Sequence, residues 1–220
     1  QSFNEDQNLS IPISYSDSDG DELSVSVVSS DNNITVSIDE DYTGGYVGAC
    51  SHPSELFAVH TNQVAILEAD GTIRRWGRTA SGEASGVSQI TDAVAISIGN
   101  THGIARKSDG SIVGWGNNNS GALDFPENIN DVIQAVAGIG FSAALKSDGT
   151  VEAWGDNNFG QTDTPIGLSD VVQISTYNYT VLALITDGTV VAWGNNSYGQ
   201  ADIPENLTNV IKVASGGNHS

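Results

Sequence analysis

Asp17, Asp19 and Asp21 alternate along the chain, with Glu22 beside them. Hard carboxylate oxygens at that density suit Ca2+, which is held by oxygen ligands alone. The spacing is not that of an EF-hand loop: Gly20 stands two residues too early, and Val28 falls where the closing glutamate belongs. The expected cofactor is Ca2+ at Asp17, Asp19 and Asp21; the competing reading is a solvated acidic hairpin turn. A second set comprises His102, Phe141, Tyr177, Tyr179 and His219. Aromatic side chains gathered on one surface favour protein recognition. The competing reading makes His102 and His219 structural, each hydrogen-bonded to a neighbouring element. Covalent and acid–base chemistry finds no constellation: there is no His-x-x-x-His or Glu-x-x-His spacing, no Gly-rich phosphate loop and no nucleophile elbow. The expectation is a protein that binds and does not catalyse.

The elements that must position these residues repeat. Trp76, Trp115, Trp154 and Trp193 are each 39 residues apart. The same offset relates Asp70-Gly71, Asp109-Gly110, Asp148-Gly149 and Asp187-Gly188, then Gly82, Gly121, Gly160 and Gly199, then Pro126, Pro165 and Pro204. Within a unit the pattern is β: Val132–Ala137, Ser142–Lys146 and Thr150–Trp154 are short apolar or alternating runs. Asp-Gly between two such runs predicts a two-residue type I′ turn, with positive φ at both centres. The Gly after each Trp opens a loop, Asn-rich behind Trp115, Trp154 and Trp193, where an Asp-x-Pro step ends the unit, its aspartate read as a turn cap. A unit of about 40 residues with three or four short strands is a propeller blade, and the Trp reads as an apolar wedge between blades. Stacked blades bring His60–Gln63, Gly99–His102, Gly138–Phe141, Tyr177–Thr180 and Gly216–His219 onto one rim, where the five candidate side chains would converge.

Residues 1–49 have another texture. Asn8–Tyr15, Leu23–Val28 and Ile34–Ile38 alternate as half-buried strands. They carry ten acidic residues and no basic one, half of the net charge of −20 of the 220-residue chain. That charge repels phosphate backbones and anionic membranes, so nucleic acid is excluded as a partner. No apolar run approaches the roughly 20 residues of a spanning helix, which excludes membrane insertion. Cys50 stands alone and reads as a buried free thiol, so no intrachain disulfide or Cys-based zinc site forms. The chain opens on Gln1 and contains no Met, which reads as a processed or excised piece.

The run Ala144-Leu145-Lys146-Ser147-Asp148-Gly149-Thr150-Val151-Glu152-Ala153-Trp154-Gly155, and Ser215-Gly216-Gly217-Asn218-His219-Ser220, resemble the regulator-of-chromosome-condensation repeat. The insertion-free period is most similar to the bacterial branch, which includes propeller-type β-lactamase inhibitor proteins. The resemblance covers residues 50–220 and implies a propeller usually of seven blades. Residues 51–220 hold little more than four units, so the expected class is all-β: an incomplete propeller of about four blades, an open arc with blades of the parent chain missing. Residues 1–49 resemble part of a cadherin-like or immunoglobulin-like bacterial adhesin module, a partial β-sandwich. Together these imply a binding module on a secreted or surface bacterial protein, with a protein or a surface glycan as partner. Enzyme inhibition and guanine-nucleotide exchange are the alternatives the family implies. Inhibitory relatives place an aromatic just before the His slot. Here those positions are Asn62, Thr101, Gly140, Tyr179 and Asn218, and only Tyr179 fits.

Overall fold

The computed structural model describes residues 57–60, 63–78, 82 and 84–220, together with the backbone of 13–16, 22–30 and 33–37. The chain divides into two compact units, Gln1–Gly45 and Tyr46–Ser220. In the first, β1 (Ile13–Ser16), β2 (Glu22–Ser30) and β3 (Asn33–Ser37) form one antiparallel sheet in that order. Ser16 lies opposite Glu22, and Ser30 opposite Asn33. The expected calcium ligands Asp17, Asp19 and Asp21 fall outside the described residues, as does Cys50.

Among its described residues the second unit is all-β, an incomplete propeller of four blades, each a three-stranded antiparallel meander. Blade one holds β4 (Phe57–His60), β5 (Gln63–Leu67) and β6 (Ile73–Gly77). After a short 3-10 turn at Val87–Gln89, blade two holds β7 (Ala93–Ile98), β8 (His102–Lys107) and β9 (Ile112–Gly116). Blade three holds β10 (Val132–Ala137), β11 (Phe141–Lys146) and β12 (Val151–Gly155). Blade four holds β13 (Val171–Tyr177), β14 (Thr180–Ile185) and β15 (Val190–Gly194). The middle strands β11 and β14 are buried without interruption from Phe141 to Leu145 and from Thr180 to Leu184. A sheet covered on both faces does not alternate, because either side of the pleat meets a neighbour.

The core lies between blades. Trp115 packs with Ala65 and Leu67 of the preceding blade, Trp154 with Ile104 and Ile112, and Trp193 with Val136 and Phe141. The wedge reading of the indoles holds for these three, while Trp76 is 42% exposed. Polar forks also cross the seams. Gln134 donates from Nε2 to the Ile174 carbonyl (2.9 Å) and accepts from the Ile174 amide at Oε1 (2.8 Å). Gln173 does the same to Val213 at 3.0 Å each way.

The Asp-Gly turns differ from the expectation. Only the glycine takes a left-handed φ (Gly149, 78°), and Asp148 does not. Gly149 N–H donates to the Lys146 carbonyl (3.0 Å) and Lys146 N–H to that of Thr150 (2.9 Å). The loop is thus Ser147–Gly149, a three-residue hairpin with a left-handed glycine closing the turn. The aspartate explains the choice: its Oδ1 accepts from the Thr150 amide (3.0 Å) and hydroxyl (2.6 Å), which locks an Asx turn. The glycine does two jobs. Its carbonyl accepts from Val171 N–H (3.1 Å), which ties one blade to the next. A Cβ there would lie 3.0 Å from Asp170 Cα.

Candidate functional site

In blades two, three and four the loop joining the first and second strands shares one rim with the Asn-rich loop that follows the Trp. Asp156 N–H donates to the Gly140 carbonyl and Asn195 N–H to that of Tyr179, both at 2.9 Å. Each Asn-rich loop is clamped by a repeated asparagine. Asn157 Oδ1 accepts from Thr162 N–H (3.0 Å) while its Nδ2 donates to Asp163 (2.8 Å). Asn196 holds Ala201 and Asp202 in the same way (2.8 and 2.6 Å). The Asp-x-Pro aspartates therefore accept the clamping asparagine's side chain. These loops are set by their own polar groups, so they can hold a side chain in water.

Burial divides the five expected side chains. His102, Phe141 and Tyr177 are buried, Tyr179 is half-buried, and His219 is exposed over Gly216. Position within the repeat accounts for this. Tyr177 occupies the slot filled by His60, Gly99 and Gly138 in the three preceding blades. The Tyr177 ring stacks on His60 with centroids 4.6 Å apart. Phe141 fills the space over Gly138, where a Cβ would lie 2.1 Å from its ring. His102 reaches Ser142 of the next blade, Nε2 to Oγ 3.0 Å. The Ser142 hydroxyl donates to the Ala122 carbonyl (2.8 Å), so the imidazole is the donor to Ser142 and carries its proton on Nε2. His102 thus matches the structural reading. Burial pulls both imidazoles down to about 4: His60 by desolvation alone, His102 by desolvation and then by the field of His60.

The solvent side of the rim belongs to residues the spacing analysis passed over. The Phe159 ring lies 4.7 Å from that of Tyr179 and is 47% exposed. Tyr198, in the same loop position one unit later, is 72% exposed. Their signal was available: two aromatics in an otherwise polar loop, one period apart, where Ser120 stands in the unit before. Among the described residues no group of three or more His, Cys, Asp or Glu could hold a metal ion. Nor is any helix among the described residues long and apolar enough to cross a membrane. The arrangement can stack on and exclude water from a partner.

Residues 93–122, 132–161 and 171–200 each match the profile of the regulator of chromosome condensation (RCC1) repeat. Curated protein sequences give no match. Among solved structures, the ectodomain of the receptor kinase CR4 from Physcomitrella patens is 22% identical over 84% of this chain and 53% of its own, with a TM-score of 0.62. Human WBSCR16 is 17% identical over 84% of this chain and 57% of its own, at 0.55. Prp20p from Saccharomyces cerevisiae, described with its binding properties to Gsp1p and histones, is 14% identical over 90% of this chain and 59% of its own, at 0.58. The chain thus spans just over half the length of each of these three structures. Identities this low establish the fold alone. The chain carries three RCC1 repeats, folded as successive blades of an RCC1-like propeller.

Proposed function

We propose that this chain is a non-enzymatic protein-binding module that engages its partner through the aromatic side of the loop rim. The observation that carries the reading is the exposed pair Phe159 and Tyr198 with the half-buried Tyr179 against Phe159, held on clamped polar loops. Rigid rings present large contact area with little rotamer entropy to lose, the profile of a hot spot. That Prp20p is known with protein partners supports a protein over a glycan. The acidic surface and the adhesin-like residues 1–49 support a secreted or surface setting and an adhesive role. The test is retention of proteins from the secreted fraction of the source by the immobilised chain. Phe159→Ala with Tyr198→Ala should abolish retention while leaving the thermal midpoint in place; equal retention by the double variant would sink the reading.

Tyr179, in the slot used by inhibitory relatives, supports a second reading as an enzyme inhibitor. Titration against a class A β-lactamase decides it, and activity unchanged at micromolar chain removes it. Calcium at Asp17, Asp19 and Asp21 is proposed on their carboxylate density. A thermal midpoint unmoved by millimolar Ca2+ removes that as well.

A further inference from the structure

The opposite end of the blades carries a second repeated pattern. Each inner strand from blade two onward opens with a register shift, between Ala93 and Ala95, Val132 and Gln134, and Val171 and Gln173. The residue set out of register is Val94, Ile133 or Val172, and these are 39, 45 and 51% exposed. A bulge gives up ladder pairing and re-aims a side chain, here an aliphatic one into solvent. Two residues earlier stand Asp92, Asp131 and Asp170, all exposed and all in the left-handed region. Carboxylate and β-branched aliphatic therefore recur side by side along this rim.

Blade four breaks the pattern in one respect. In blade two, Lys107 Nζ lies 3.2 Å from Asp92 and balances it. The same place is Lys146 in blade three but Ile185 in blade four. Among the described residues the Asp170 carboxylate receives one hydrogen bond, from Ser169 Oγ at 2.9 Å. Ile185 instead helps Pro165, Leu168 and Val191 line an open depression of about 390 Å3, with Asp170 at its edge. Ile166 stands on its lip, fully exposed.

We propose that this depression docks a polypeptide segment that inserts an aliphatic side chain and sets a lysine or arginine against Asp170. Charge complementarity fixes the partner. An uncompensated carboxylate beside an apolar hollow favours a cation with an apolar neighbour and rejects an acidic one. A second copy of this chain is a poor fit, since it offers 7 basic residues against 27 acidic ones. Anionic lipid is repelled by the same carboxylates.

The experiment uses the full 220-residue chain, labelled for amide NMR, and two short synthetic peptides, one alternating leucine with lysine and one alternating leucine with glutamate. The lysine peptide should shift amides of residues 166–172, 185 and 191, and the glutamate peptide should not. Ile185→Lys installs the residue that blades two and three carry at this place, so it should fold as the parent does; it should weaken binding at least about tenfold by filling the hollow and neutralising Asp170. Asp170→Asn should weaken it about fivefold, the scale of one exposed ion pair. Equal binding of both peptides, no shift at millimolar peptide, shifts confined to other residues, or unchanged affinity in Ile185→Lys would each overturn the proposal. So would sedimentation showing self-association through this rim, or retention on anionic vesicles lost with Ile185→Lys.

Discussion

Trp76 and Trp154 hold the same place in the first and third blades, yet their surroundings differ. Trp154 is 8% exposed and donates from Nε1 to the Ala122 carbonyl at 2.9 Å. Trp193 repeats the bond to Gln161, 3.0 Å away, and in both cases the acceptor lies 32 residues upstream. It belongs to the preceding unit's loop. Trp115 is buried without such a bond among the described residues, and Trp76 remains 42% exposed. Blades are thus not independent copies: each is finished by the one before it, the nearest-neighbour coupling of a repeat protein.

The sharpest break of that comparison is Trp154→Ala against Trp76→Ala. The buried indole should cost about 3–5 kcal/mol and its exposed counterpart under about half of that, read from urea midpoints at constant slope. Equal losses would mean that the preceding unit contributes nothing to the later Trp.

Acid comes next. His60 and His102 are neutral in the fold, with values near 4, whereas free imidazole titrates at 6.5. Between those values the unfolded chain binds more protons. Their contribution is therefore complete above pH 6.5 and is lost as pH falls toward 4, on the order of 3 kcal/mol for each histidine. His60→Gln should flatten the pH dependence of the urea midpoint, and a parent chain flat from pH 7 to pH 5 would refute the burial argument.

Gln134→Ala leaves the Ile174 amide and carbonyl without their fork across the seam and should cost about 1–3 kcal/mol. Blade two has Ala95 at that position, so the equivalent seam is held without a fork. Native-state hydrogen exchange should accordingly show the Ile174 amide opening earlier in the variant, with Ile96 unaffected. The smallest effect on stability belongs to Tyr198→Ala, within about 0.5 kcal/mol because the ring is in solvent. Its loss should appear in partner retention alone.

Much of the fold was legible because a repeat states the same physical solution several times. The equal spacing of the indoles and of the Asp-Gly pairs implies stacked small sheets, and the structure has them. His102 was readable as a structural donor to the next blade. The site was less legible. Phe141 and Tyr177 are apolar rings in a loop-like stretch, and nothing local tells whether such a ring turns outward or inward. That depends on Gly138, whose missing side chain admits the Phe141 ring, and on His60, against which Tyr177 stacks. The turn chemistry missed for a related reason: Asp148 was free to take either hand until its carboxylate was claimed by Thr150.

The sequence by itself determined the period, the strands and the seams, since apolar patterning and turn residues act through near neighbours along the chain. Only the tertiary structure decided which rings face water and where a missing cation opens a hollow. Those outcomes turn on side chains brought together from separate units, and burial is a property of that gathering.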